Sequence, residues 1–168
     1  LFPYTTLFRS PRSVRCYGNG KANFKMEQYY SILQQCGMFN GIQPRKYREV
    51  LRCLNATVRE YPRGAHIVEL GEQSHNTGVL LDGTMEEFLY DENGNQISIC
   101  RFCPGEVFGA ELVCTGWTVS PVCLRASSDC TVMLLDFSAL MSQKTLTCPC
   151  RMQVTANLMQ DMAQQLLF

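Results

Sequence analysis

The sequence predicts a mainly β fold with flanking helices, an antiparallel sandwich or barrel followed by one long helix. Three observations predict it. Between Asn55 and Asp136 about six to eight short apolar runs alternate with turn signals roughly every 8–12 residues, the spacing of antiparallel β folds. Asp91-Glu92-Asn93-Gly94 is a strong hairpin signal, because Asn-Gly suits a type I′ turn with positive φ at both central positions. Outside that region, on both sides, apolar residues recur at helical rather than strand spacing.

The elements follow in order. Short helical patterns begin at Met26, and Gln43-Pro44 opens a better one, since proline suits a first helical turn. Tyr47, Val50, Leu51 and Leu54 then form one apolar helix face, with Arg45, Lys46, Arg48 and Arg52 on the solvated side. Pro62-Arg63-Gly64 reads as a turn before a strand at 66–70, and Gly71-Glu72 as the next turn. A strand at 77–81, a tight turn at Asp82-Gly83 and a strand at 84–90 read as a pair. The strand at 96–102 follows the Asn-Gly turn, with Ile97 and Ile99 alternating with Gln96 and Ser98, and Pro104-Gly105 ends it. Strands at 122–126 and 130–135 complete the set, the last apolar enough for burial on both faces. Asp136 is placed to cap a helix. From Arg151 onward Met152, Thr155, Met159, Met162 and Leu166 repeat at spacings of 3 and 4, a heptad seam suited to a twin helix, with Val154 and Leu158 on an adjacent stripe.

Composition narrows the function. The chain has 168 residues, 46% hydrophobic and 18% charged, the make-up of a globular domain with a sizeable core. No run approaches the roughly 18–20 apolar residues of a membrane-spanning helix. The zero net charge conceals an uneven distribution. Residues 1–25 hold five basic residues and no acidic one, leaving ten basic against fifteen acidic in 26–168, a net of −5. So acidic a body is not a general nucleic-acid-binding surface.

Residues 1–10, Leu1 to Ser10, resemble the conceptual translation of a short-read sequencing adapter. Residues 11–25 then read as upstream sequence in frame, with Met26 as the natural start, so 1–25 is expected to be a poorly packed leader. Ten cysteines are many for this length, yet they are scattered along apolar stretches, as free thiols are in a reducing cytoplasm. Cys36, Cys53, Cys114, Cys123 and Cys130 read as small core hydrophobes. Cys100 and Cys103 are spaced like zinc ligands but lie three apart on a strand, hence on opposite faces. Cys148 and Cys150 mark a helix start. No second cysteine pair at zinc spacing accompanies either, so no metal site and no cofactor is expected.

The turns and their order carry a resemblance. Pro62-Arg63-Gly64 with Gly71-Glu72, Leu81-Asp82-Gly83, Asp91 to Gly94, the run Pro104 to Gly109 and Arg125-Ala126 together resemble the sensor domain of the Crp/Fnr family of bacterial transcription regulators. The resemblance spans about residues 32–168. It implies a cyclic-nucleotide-binding-like double-stranded β-helix, a jelly-roll barrel similar to cupins, over 26–150. It further implies a dimerisation helix from 151, with a winged helix-turn-helix beyond the end of the chain as the DNA-binding part. The partners implied are a second copy through the helix seam and DNA through the absent domain alone, with no membrane.

In cyclic-AMP-binding relatives a Gly-Glu pair after the Phe-Gly turn and a later arginine hold the ribose and the cyclic phosphate. The ligand-pocket candidates here are accordingly Phe108, Gly109, Ala110, Glu111, Ser120, Pro121 and Val122. Ala110 stands where the glutamate is expected and Val122 where the arginine is, which argues against cyclic AMP and leaves the effector unknown. A buried phosphate needs a cation or several donors, and Arg125 reads as part of the following strand. Cys36 alone lies between Met26 and Cys53, so an N-terminal iron–sulfur cluster is not implied; His75 is the one candidate haem ligand. The chain is thus expected to be a sensor and not an enzyme. The alternatives are a stand-alone cyclic-nucleotide-binding-like module, or a cupin-type metalloenzyme, for which His66 and His75 are too few.

Overall fold

The computed structural model describes residues 15–16, 26–73, 77–115, 119–141 and 150–165. Short helical turns at 26–29, 37–39 and 44–46 accompany α1 (Tyr30–Leu33) and α2 (Tyr47–Cys53). The strands are β1 (Arg15–Cys16), β2 (Thr57–Tyr61), β3 (His66–Val68), β4 (Gly78–Asp82), β5 (Met85–Tyr90), β6 (Gln96–Phe102), β7 (Val107–Phe108), β8 (Cys123–Ala126) and β9 (Cys130–Leu134). α3 (Ala110–Cys114) interrupts them, and α4 (Ser138–Met141) and α5 (Arg151–Gln165) follow. The fold is the mainly β jelly roll that the sequence predicts, but its sheets do not close into a barrel. One sheet has the order β1-β2-β9-β4-β7 and the other β3-β8-β5-β6, antiparallel throughout.

Alternation along the central strands builds two cores. Leu80 of β4 and Cys130, Val132 and Leu134 of β9 point between the sheets, meeting Ile67, Met85, Phe102, Phe108 and Leu124. Val79, Leu81 and Met133, one residue out of phase, point the other way onto the helices. There they meet Leu33, Tyr47, Val50, Leu51, Leu54, Val154 and Leu158. Strands covered on both faces read as continuous apolar runs, as 130–135 does. Gly78 is required where β4 approaches β9: a Cβ there would lie 1.9 Å from the Met133 carbonyl oxygen.

α5 belongs to this helical layer. Val154 and Leu158 are buried on the core, and the buried Asn157 donates Nδ2–H bonds to the carbonyls of Met38 (3.0 Å) and Asn40 (2.7 Å). The stripe that the sequence assigns to a twin helix divides. Met152 and Met159 are 80% and 65% exposed, Thr155 is half-buried, Met162 packs against the helical core, and Leu166 lies outside the described residues.

Three local expectations need correction. The strands either side of Asp82-Gly83 do not pair, since β4 joins β9 and β7 whereas β5 joins β6 and β8. β4 is buried on both faces, so it occupies the middle of its sheet and the turn carries the chain to the other one. The turn at 91–94 is not type I′, because Asn93 lacks positive φ and only Gly94 (φ 82°) has it. Asp91 decides this: its carboxylate accepts the backbone N–H of Asn93 (2.9 Å) and Asn95 (2.8 Å), making a five-residue loop between Tyr90 and Gln96. Cys53 is only half-buried, because it ends α2 on the flank of the face that Tyr47 and Leu54 define. Cys36, Cys123 and Cys130 are buried. Within the expected leader, Arg15 and Cys16 lie opposite Glu60 and Arg59 on the edge of β2; His75, Cys148 and the side chain of Cys114 lie outside the described residues.

Candidate functional site

The segment that the resemblance points to starts where β7 ends. Gly109 adopts φ 73° and turns the chain sharply into α3, a conformation glycine adopts without steric cost. Phe108 is buried between the sheets, edge-on to Phe102 at 6.4 Å, and Ala110 is buried in the helical core. Thr115 ends the helix by donating its hydroxyl to the carbonyls of Glu111 (3.0 Å) and Leu112 (3.2 Å). The chain returns at Ser120, which is buried and clamped to the turn before β4: its N–H donates to Glu72 O (2.9 Å) and its carbonyl accepts from Gly71 N–H (2.8 Å). Its hydroxyl donates to the Val122 carbonyl at 2.8 Å. Pro121 and Val122 are half-buried. Among the candidates, Gly109 caps α3, which Ala110 and Glu111 begin, and Ser120, Pro121 and Val122 lead into β8, while Phe108 serves as core.

The electrostatics of the inner face turn on Glu87, which the sequence reading did not single out, together with Cys100 and Glu111, which it did. Glu87 on β5 is opposite Cys100 on β6 and Leu124 on β8. The Cys100 thiol donates to Glu87 Oε2 at 3.1 Å. Burial pushes that thiol up to about 12, reinforced by the hydrogen bond to Glu87 and the charges of Glu87, Glu111 and Glu106. Glu111 is likewise held above the usual carboxylate range, by burial first and then by the charge of Glu87. The charges acting on both groups are carboxylates. A signal was available in the adjacent pair Glu86-Glu87, since consecutive strand residues face opposite ways and one of the two must point inward.

Arg125 does not supply the missing cation. It lies on β8 between Leu124 and Ala126, both buried between the sheets, so it projects from the opposite, outer face. There it binds Glu86 (3.2 Å) and Gln96 (3.0 Å) and sits 4.7 Å over the Phe88 ring. His66 is on that outer face too, its Nδ1 3.6 Å from Glu69. No group of three or more His, Cys, Asp or Glu side chains among the described residues could hold a metal ion.

Residues 58–143, more than half of the chain, match the family model of the cyclic nucleotide-binding domain. The chain belongs to the cyclic nucleotide-binding domain family. Solved structures agree in fold. The sensor domain of the transcriptional regulator DNR from Pseudomonas aeruginosa has a TM-score of 0.65 at 15% identity, covering 84% of this chain and 94% of that one. A cyclic nucleotide-binding domain from Methylobacillus flagellatus gives 0.68 at 16% identity, covering 92% and 82%. The Thermus thermophilus catabolite activator protein gives 0.59 at 18% identity; this cyclic nucleotide-binding domain chain covers 56% of it. No curated protein matches the sequence. Among the described residues no helix is long and apolar enough to cross a membrane.

Proposed function

We propose that this chain is the effector-sensing and dimerising part of a Crp/Fnr-type transcription regulator, and that its effector is not cyclic AMP. The observation carrying this reading is the acidic inner face, where Glu87 and Glu111 flank Cys100 and Arg125 is turned away. A cyclic phosphate placed there would meet carboxylates where it needs donors, and burying that charge unpaired costs several kcal/mol. Residues 26–150 are the sensor and 151–168 the start of the dimer helix, where the exposed Met152 and Met159 offer a strip for a second copy. DNA is bound by a domain outside this chain, and the protein works in the cytoplasm without catalysing a reaction. The neighbours that are a regulator's sensor domain and a catabolite activator protein support this reading.

Isothermal titration of cyclic AMP into the chain tests it, with no saturable heat expected at millimolar nucleotide; a micromolar Kd would refute it. Sedimentation of the chain beside Met159→Glu tests the helix seam. A weak dimer that the charge dissolves is expected, since helical seams of about two heptads are marginal. A dimer indifferent to that substitution would place the interface elsewhere.

A further inference from the structure

The ten basic residues of 26–168 are not spread evenly: three of them line one cavity. It measures about 650 Å³ and lies on the outer face of the four-stranded sheet, walled by Arg63, His66, Thr84, Glu86, Arg101 and Arg125. The strand register explains the cluster. His66 on β3 is opposite Arg125 on β8, Arg125 opposite Glu86 on β5, and Glu86 opposite Arg101 on β6. One row of side chains therefore crosses all four strands on one face, and Arg63, in the turn before β3, stands at its end.

The arginines play unequal parts. Arg125 is fixed by Glu86, Gln96 and the Phe88 ring. Arg63 and Arg101 are exposed, and neither guanidinium has an ion-pair partner among the described residues. Glu86 is the one carboxylate in the wall, and Arg125 already occupies it. The wall thus keeps a surplus of two positive charges on a body whose net charge is negative. Guanidinium groups match oxyanions by paired N–H donors, and phosphate exploits them best. The volume is within the range of small-molecule sites and exceeds what a lone phosphate would fill.

We propose that this cavity binds a small phosphorylated molecule through its phosphate group. Arg63 and Arg101 donate to the phosphate oxygens, and Arg125 forms a fixed positive wall. This ligand sits across the sheet from the inner face, so the proposal is independent of what, if anything, binds inside.

Calorimetric titration of inorganic pyrophosphate into the full chain at about 50 mM salt tests it, with Arg63→Ala/Arg101→Ala and Glu111→Gln as comparison variants. A submillimolar Kd is expected, weakened at least tenfold in the double variant and unchanged in Glu111→Gln. Arg101→Lys, which keeps the charge but loses the fork, is expected to lie between. Thermal unfolding at the wild-type temperature checks that the double variant folds, and both of its replaced side chains are exposed. Absence of saturable binding, or equal binding by the double variant, would overturn the proposal. So would binding of duplex DNA that requires these arginines while pyrophosphate goes unbound, because the patch would then serve a macromolecule.

Discussion

On its inner face the four-stranded sheet carries Met85, Glu87, Cys100 and Leu124. On its outer face, one residue away along the same strands, it carries Glu86, Phe88, Arg101 and Arg125. The inner face combines an apolar core with the Cys100 thiol and the Glu111 carboxyl, whose charged forms are disfavoured by burial and by the charge of Glu87. The outer face holds the opposite sign, ordered by cross-strand pairing and by an aromatic ring beneath Arg125. The difference teaches that a motif read as residues in order is insufficient for function in a β protein. The period of two decides which side of the sheet each residue serves, and here it sends the nearest arginine away from the pocket.

The largest test of this contrast is Phe88→Ala. Phe88 is fully buried on the outer face under Arg125 and Tyr90, whose ring lies 5.5 Å away. Its truncation is expected to cost about 3–5 kcal/mol, the range for a buried Phe, measurable by urea unfolding. A cost under about 1 kcal/mol would mean that the outer face has no core of its own.

A smaller effect is expected from Glu111→Gln. Because burial and Glu87 raise its folded-state pKa above the unfolded value, the ionised carboxylate opposes folding. That penalty is absent below the unfolded pKa of about 4.3 and grows as pH rises through the folded one. The variant is therefore expected to melt about 2 °C higher than wild type at pH 7 and at the same temperature at pH 4. A lower melting temperature at pH 7 would contradict the acidic inner face.

Glu86→Gln sharpens the comparison with the opposite sign. Burial is the largest single influence on Glu86 and pushes it up, but hydrogen bonds from Ser98 and Arg125, with the arginine's charge, together outweigh burial and hold it below the usual range. Its stabilisation is present above about pH 4.3 and is lost as pH falls through the lowered pKa. At pH 7 the substitution is expected to cost about 0.5–1 kcal/mol, as partly exposed pairs do, with the gap to wild type closing in acid.

The smallest effect is chemical. Cys103 is exposed, whereas the Cys100 thiol is shared with Glu87 and pushed up to about 12. Iodoacetamide at pH 8 is expected to alkylate Cys103 well before Cys100, as peptide mass spectrometry would record. Faster reaction at Cys100 would remove it from the inner face.

Most of the frame was legible because it rests on local rules. The apolar face of α2, the double burial of β9, and the strand at 96–102 all follow from periodicity, and the observed bounds agree closely. What was not legible depended on partners far along the chain. Nothing local reveals that β4 and β5 belong to different sheets, because β4 finds β9 some fifty residues later. The Asn-Gly signal was overridden by the Asp91 carboxylate, a side-chain competitor that dipeptide rules omit. The candidate segments were chosen by the Phe108-Gly109 turn and the family resemblance, which also marked Ala110 and Val122 as departures. The acidic character of the pocket needed the register that places Glu87 against Cys100, and the arginine row needed the pairing of four strands at once.

Thermal unfolding of the chain with 1 mM cyclic AMP, and separately with 1 mM pyrophosphate, tests the account most directly, since a ligand of the native state raises the melting temperature by mass action. The account predicts a rise with pyrophosphate that Arg63→Ala/Arg101→Ala abolishes, and no shift with cyclic AMP. A cyclic AMP site filled to a hundred times its Kd would add about 2.7 kcal/mol, roughly 5–10 °C in a chain of this size. A shift of that order with cyclic AMP would contradict the account, because it would mean that the acidic inner face holds a phosphate after all.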